Sequence, residues 1–268
     1  MKENSYVGLT YLKFFFFIVF LFIVGAVILK IGSEIIQSKF RNNAFSVLYV
    51  AKDSKLIYVD KNTKEVLYLS LGDLRKYTKG KNYLGVSFAL GLPINAMILD
   101  NKPPANISEF ITSQNEWRLI FDGNVTLKNM NRYDIHKVID AMRSALKDNR
   151  TEERVDIFSK EDMKKIEEHF VDSAINNVQY TIEIENGTSI NGLGNQLATI
   201  LGKEGFNVIA VRTARAEIAS YVAYPEEENI YVNSLIGLTG FDYKKEKISP
   251  AADITIFLGD DLEAMLSP

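Results

Sequence analysis

The sequence predicts an α/β fold hung on one membrane-spanning helix. Three features predict it: a single apolar run of helix length near the N-terminus, short strand-like segments separated by polar turns after it, and strands alternating with amphipathic helices in the C-terminal third.

The first element is residues 14–29, an unbroken apolar run that opens at Phe14 and closes at Leu29, with Lys13 before it and Lys30 after it. Fourteen of these sixteen residues are Phe, Ile, Leu or Val. Extended to residues 11–31, the segment rises about 30 Å as a helix, the thickness of a bilayer's hydrocarbon core. The run is apolar on every face, unlike the one-sided stripe of a core helix. Val27, Ile28, Leu29 and Lys30 make a poor signal-peptide cleavage context, so an uncleaved signal anchor is expected, with residues 1–10 as a short tail. Lys2 and Lys13 flank one end, and Lys30, Lys39 and Arg41 the other, a near tie by the positive-inside rule. A short tail before a large C-terminal portion favours a cytoplasmic N-terminus, with the remaining domains extracytoplasmic.

Residues 32–43 read as a polar helical stalk. Segments 45–51, 56–60 and 65–70 are rich in Val, Leu, Ile and Tyr with short polar turns between, the pattern of a β-meander. Residues 83–90 fit a short helix or a strand, 94–100 a strand, 117–121 a further strand, and 127–146 a helix with Ile135, Val138, Ile139, Met142 and Leu146 on one face. Residues 150–155 are charged and read as a turn or linker. Ser159 and Asp162 make a loose capping box before a helix carrying Met163, Ile166 and Phe170, so that 44–158 forms one domain and 159–177 a helical linker.

A second domain spans 178–262, followed by a tail at 263–268. Its expected order is strand 180–185, helix 189–204, strand 207–212, strand 220–224, helix 226–238 and strand 253–258. Leu193, Leu197, Ile200 and Leu201 line one helical face, and Gly205 with Phe206 fits a Schellman C-cap. This β-α-β-β-α-β order suggests a ferredoxin-like or related α/β sandwich.

Composition narrows the chemistry. The chain of 268 residues has 31 basic and 34 acidic side chains, a net charge of −3, which argues against nucleic acid as a partner. With no cysteine there is no disulfide, thiolate nucleophile or Cys-ligated zinc. The only histidines, His136 and His169, sit among charged neighbours in helical patterns, so neither a metal site nor a Ser/His/Asp triad is expected, and no cofactor is implied.

Several residues invite a ligand-binding reading. Gly187, Gly192 and Gly194 do not follow the G-x-G-x-x-G spacing; Gly187 fits a strand-to-helix turn and the other two a close helix–sheet approach. The turn at Asn186, Gly187 and Thr188 also offers a helix start to an anionic or sugar ligand. Tyr221 and Tyr224, with Tyr231 nearby, are the residue type that stacks on sugar rings, although core or rim packing explains them better.

The segments Ile184-Glu185-Asn186-Gly187-Thr188, Gly192-Leu193-Gly194 and Gly205-Phe206-Asn207-Val208, then Tyr221 to Pro225, then Ala252 through Asp260, resemble as an ordered set the C-terminal domain of LytR-type cell-envelope proteins. Residues 44–156 resemble a shortened LytR-CpsA-Psr domain, whose enzymes attach glycopolymers to the bacterial wall. The resemblance lies at 47–50, 66–74 and Leu90-Gly91-Leu92-Pro93-Ile94-Asn95, the last similar to that family's lipid-pocket stretch. The family grips a polyprenyl pyrophosphate with several arginines, and with aspartates that also bind a divalent metal. In Leu71-Gly72-Asp73-Leu74 the motif position Asp73 survives, the preceding arginine is missing, and Arg75 is displaced. The resemblance therefore implies a membrane-anchored, non-catalytic envelope protein that binds peptidoglycan, another wall glycopolymer or an envelope protein partner. Its rival is a divergent glycopolymer phosphotransferase acting on polyprenyl-pyrophosphate substrates. A regulatory role would have to act through residues 1–12 alone.

Overall fold

The computed structural model describes residues 3–40, 44–78, 82–101, 119, 123–145, 150–154, 159, 161, 162, 164, 170, 175 and 180–266. Helix α1 spans Glu3–Ile36, longer at both ends than the apolar run. Its window Leu12–Ile36 has a mean hydropathy of 2.9 and none of it is buried, so among the described residues this one helix is long and apolar enough to cross a membrane. The helix stops short of the end of the predicted stalk: Gln37 and Ser38 donate their N–H groups to Ser33 and Ile35, and Phe40 turns into the core against Phe45.

The predicted meander forms β1 (Ala44–Val50), β2 (Ser54–Asp60) and β3 (Glu65–Gly72), paired antiparallel. Asp60 closes its second turn by accepting from the Asn62 N–H at 2.8 Å. After the single turn α2 (Arg75–Thr78), residues 83–90 resolve as helix α3 (Tyr83–Leu90) rather than a strand. Asn82 caps its start, and Gly91, at φ 62°, ends it in the left-handed region that glycine tolerates. Strand β4 (Ala96–Asp100) then runs parallel to β1.

Two expectations are corrected here. The predicted helix 127–146 opens instead with strand β5 (Val125–Lys128), antiparallel to β4, and only Arg132–Ser144 is helix α4. Asn129 at φ 53° turns the chain, and Asn131 with Asp134 forms a reciprocal capping box that sets the helix start. The predicted linker 150–155 contains strand β6 (Arg150–Arg154), parallel to β3 at the sheet edge, a place that suits a strand of charged residues. Of the expected strand 117–121 only Leu119 is described, and it is helical and buried; Leu146, Met163 and Ile166 also lie outside the described residues. Ser159 Oγ accepts from the Asp162 N–H at 3.3 Å, as the capping reading expects, and Phe170 is fully buried.

The first sheet has the order β5-β4-β1-β2-β3-β6. Both faces of its centre are covered, which is why β1 and β2 read as apolar runs rather than alternating patterns. Ile135, Val138, Ile139 and Met142 of α4 cover one face, while α3, Phe170 and Ile175 lie on the other.

The C-terminal part contains β7 (Thr181–Asn186), α5 (Leu193–Lys203), β8 (Asn207–Thr213), β9 (Tyr221–Tyr224), α6 (Ile230–Thr239), β10 (Asp242–Lys245), β11 (Ile254–Leu258) and α7 (Asp261–Leu266). The expected β-α-β-β-α-β order is present with one added strand, β10. The sheet order β10-β9-β11-β7-β8 places β7 and β8 side by side and parallel, so the βαβ unit is not split as in a ferredoxin-like fold. The two helices start later than expected. Gly192 begins α5 from a left-handed φ of 81°, and Asn229, not the glutamates before it, caps α6. Gly205 at φ 94° and the 3.1 Å bond from Phe206 N–H to Leu201 C=O complete the expected Schellman motif.

Side chains of both sheets join one apolar cluster, from Leu48, Leu56 and Leu67 through Leu84 to Ile184, Leu197, Leu235 and Ile256. Polar contacts fasten the same seam. Asn129 Nδ2 donates to Asn95 C=O at 2.6 Å and to Gly237 C=O at 2.9 Å, and Lys203 Nζ donates to Gly91 C=O at 2.7 Å.

The exit of α1 is held by Asp134, whose side chain is fully buried. Its Oδ1 accepts from Ser38 Oγ at 2.5 Å and Phe40 N–H at 3.1 Å; its Oδ2 accepts from Lys39 N–H at 3.2 Å and Asn131 N–H at 3.0 Å. Asn131 Nδ2 in turn donates to Glu34 C=O at 2.8 Å. Replacing Asp134 by alanine strands buried donors, each costing about 1–3 kcal/mol. Asp134→Ala is therefore expected to lower stability by about 3 kcal/mol or more, read as a depressed melting temperature of the full chain in detergent by circular dichroism.

Candidate functional site

The predicted turn at the end of β7 is built by its own side chains. Asn186 Oδ1 accepts from Thr188 N–H at 3.2 Å and Thr188 Oγ1 at 2.7 Å, and its Nδ2 donates to Ile190 C=O at 3.1 Å. Gly187 donates to Leu258 C=O at 3.0 Å. A Cβ on Gly187 would sit 2.6 Å from Arg215 C=O and 3.1 Å from Leu258 C=O, so the glycine is required by close backbone approach. Gly194 has the expected helix-to-sheet role: a Cβ there would lie 2.6 Å from Val211 Cγ1. Gly192 differs, serving conformation rather than proximity.

The structure does not bring the two candidate tyrosines together. Three positions apart on β9, Tyr221 and Tyr224 face opposite sides of the sheet. Tyr221 stacks on Phe257, with ring centroids 4.7 Å apart, and Lys244 Nζ lies 3.2 Å from its centroid. Both ring faces are thus occupied, by an aromatic and a cation. Burial, with Glu246, Glu217 and Glu185 nearby, pushes its phenol up to about 12. Tyr224 belongs to the apolar core. Its hydroxyl lies 3.2 Å from both Tyr180 Oη and Glu226 Oε2, and burial raises its pKa. Tyr180 packs edge-on against Tyr224 and Tyr231, and Phe206 edge-on against Tyr231. These aromatics hold the α6 layer to the sheet.

On the same sheet, Glu183 is 1% exposed, with Arg212 Nε 2.7 Å from its Oε1. That contact lacks hydrogen-bond alignment, so the buried oxygen has a charge partner but no hydrogen bond.

Asp73 sits on the surface and is engaged by its neighbour. Arg75 Nε donates to Asp73 Oδ1 at 2.9 Å and Nη2 to Oδ2 at 2.6 Å, a bidentate pair. Hydrogen bonding from Arg75 holds the Asp73 carboxyl down to about 2. His136 is exposed, and His169 lies outside the described residues. Asp261 accepts from Ser220 N–H at 2.9 Å and Oγ at 2.6 Å, fixing a chain end, while Asp260 is exposed. Among the described residues no group of three or more His, Asp or Glu side chains is placed to hold a metal ion.

One cleft has no counterpart in the sequence reading. It has a volume of 620 Å³ and lies where three parts of the chain meet: the end of α1 (Ile36 to Lys39), the β5–α4 turn (Asn129 to Asn131) and the α6–β10 corner (Asn233 to Tyr243). Its walls come from residues about a hundred positions apart, so no local motif announces it.

Residues 179–262 match the LytR_C family model, described as LytR cell envelope-related transcriptional attenuator. The match covers β7 through the start of α7 and does not extend to residues 44–156. No curated protein matches the chain. Among solved structures the chain is similar to the Lin1025 protein from Listeria innocua, at 12% identity over 69% of this chain and 87% of that one. The TM-score of 0.19 is too low for that likeness to carry an argument.

Two glycine substitutions test the local geometry with opposite signs. Gly187→Ala pushes a methyl into backbone and is expected to destabilise by about 1–3 kcal/mol. Gly202→Ala, on the exposed side of α5 with open space around it, is expected to stabilise by about 0.5–1 kcal/mol. Urea unfolding of the two variants beside the parent chain measures both.

Proposed function

From a LytR C-terminal domain at residues 179–262 as the premise, we propose that the chain is a single-pass membrane protein of the cell envelope whose folded portion lies outside the cytoplasm and binds rather than catalyses. The observation that carries this reading is the unburied apolar window Leu12–Ile36, joined through the buried Asp134 carboxylate to the same body that contains the C-terminal domain. An unburied surface this apolar favours a bilayer over water. The binding role, toward peptidoglycan, another wall glycopolymer or an envelope protein, is supported by the domain family and by the state of the residual motif. The guanidinium fork of Arg75 is taken up by Asp73, which leaves little of a pyrophosphate grip at that position.

Topology is the first test. The chain has no cysteine, so Gln196→Cys on the exposed face of α5 introduces a single reporter. Protoplasts treated with a membrane-impermeant maleimide are expected to label fully, with no gain on lysis. Labelling only after lysis would place the folded portion in the cytoplasm and remove the envelope reading.

A further inference from the structure

Twenty-five helical residues rise about 37 Å, more than the roughly 30 Å hydrocarbon core and less than the 40–45 Å of a whole bilayer. If Leu12–Ile36 spans, Ile36 therefore stands at headgroup height, and the exposure of Ile35 and Ile36 suits that level. Ile36 and Gln37 also form one wall of the 620 Å³ cleft. Asp134 fixes that wall against α4, so the cleft opens at the membrane surface at a set height.

The chemistry of the lining is specific. Among the described residues, the side chains of Gln37, Asn233 and Asp242 have no hydrogen-bond partner although all three face the cleft. Asn129, also in the lining, spends both amide protons on Asn95 and Gly237. Behind Gly240 of the lining, the Tyr83 hydroxyl is buried without a hydrogen-bond partner. Two carboxylates, Glu228 and Asp242, outnumber the one ammonium, Lys39, so a phosphate or other anion is disfavoured. Amide and carboxylate groups arrayed around accessible apolar and aromatic side chains (the exposed Ile36 and the half-buried Tyr243) match a ligand rich in hydroxyls with apolar ring faces.

We infer that this cleft binds the uncharged sugar headgroup of a membrane glycolipid lying in the same leaflet, with Asn233 and Asp242 holding its hydroxyls. The inference rests on the anchored reading above and adds a ligand class to it. A lipid source follows from position: a headgroup at the height of Ile36 reaches the cleft while its acyl chains stay in the bilayer.

The test uses the full chain in phosphatidylcholine nanodiscs doped with digalactosyl diacylglycerol or, separately, with phosphatidylglycerol. Native mass spectrometry then counts the lipids retained on the released protein. The galactolipid is expected to be retained in preference, and Asn233→Ala combined with Asp242→Ala to cut retention about tenfold, through loss of two hydrogen-bonding groups, with the melting temperature unchanged. Equal retention of the two dopants, or retention unaffected by the variants, overturns the inference. So does a free digalactoside that competes as well as the lipid, since the occupant would then be a soluble glycan. A chain that fails to insert overturns this and the anchor together, whereas one that inserts without preference overturns the lipid site alone.

Discussion

The arrangement of the whole molecule depends on one buried carboxylate. Asp134 collects four donors, from the start of its own helix and from Ser38, Lys39 and Phe40 just beyond the apolar helix. A carboxylate without water must have its oxygens filled, so the chain leaving α1 has little freedom in direction. Phe40 is then driven into the core, with Lys61 Nζ 3.9 Å above its ring; burial and the neighbouring Lys137 push that lysine below its ordinary value. The junction between the apolar helix and the folded body is a packed corner, so the body inherits the orientation of its helix.

The second constraint is the seam between the two sheets. The C-terminal helices turn their apolar faces into this seam. α5 packs against α3, and the apolar cluster runs through from one sheet to the other. The C-terminal sheet consequently turns its other face outward, the face that carries Tyr221, Phe257 and Arg212. Asn129 bridges the seam from a left-handed turn, spending both amide protons on carbonyls of the two halves. The seam and the helix exit meet at the cleft, which is why its walls come from such distant segments.

How much of this is legible in the sequence follows from the range of each interaction. Apolar runs and helical periodicity are local, so the anchor, the meander and the α5–Schellman–β8 unit can be read from the order of residues alone. The family resemblance at the C-terminal domain is legible for the same reason, since its glycines mark turns and close approaches that leave a local trace. Strand β6 is hidden because Arg150–Arg154 has the composition of a solvent-exposed linker; only its pairing with β3 makes it a strand. Strand β5 is hidden because Leu127 fits the helical stripe that follows, and the longer apolar pattern masks the Asn131–Asp134 capping box that resolves the ambiguity. Asp134 has no acid–base partner nearby in sequence, and its donors at 38–40 lie 94 to 96 positions away. The tyrosines are legible as aromatic but not as to side: Tyr221 and Tyr224 look like a pair until the three-residue offset on a strand puts them on opposite faces.

The geometry also weighs between the two sequence-based functions. A pyrophosphate grip needs guanidinium forks free to make two parallel bonds to oxygen. At Asp73 the nearby Arg75 fork is closed on the Asp73 carboxylate itself. Hydrogen bonding to Arg75 holds the Asp73 carboxyl well below the usual carboxylate range. Opening it would exchange one bidentate ion pair for another at an exposed site, where such pairs add little. The cleft has the opposite character. Its surplus of negative charge is unsuited to phosphate, whereas Gln37, Asn233 and Asp242 offer it groups that accept from or donate to hydroxyls. The proposed recognition is thus better placed at the corner where helix, turn and C-terminal domain converge than at Asp73 and Arg75, and the ligand chemistry proposed there is that of a sugar rather than a phosphate.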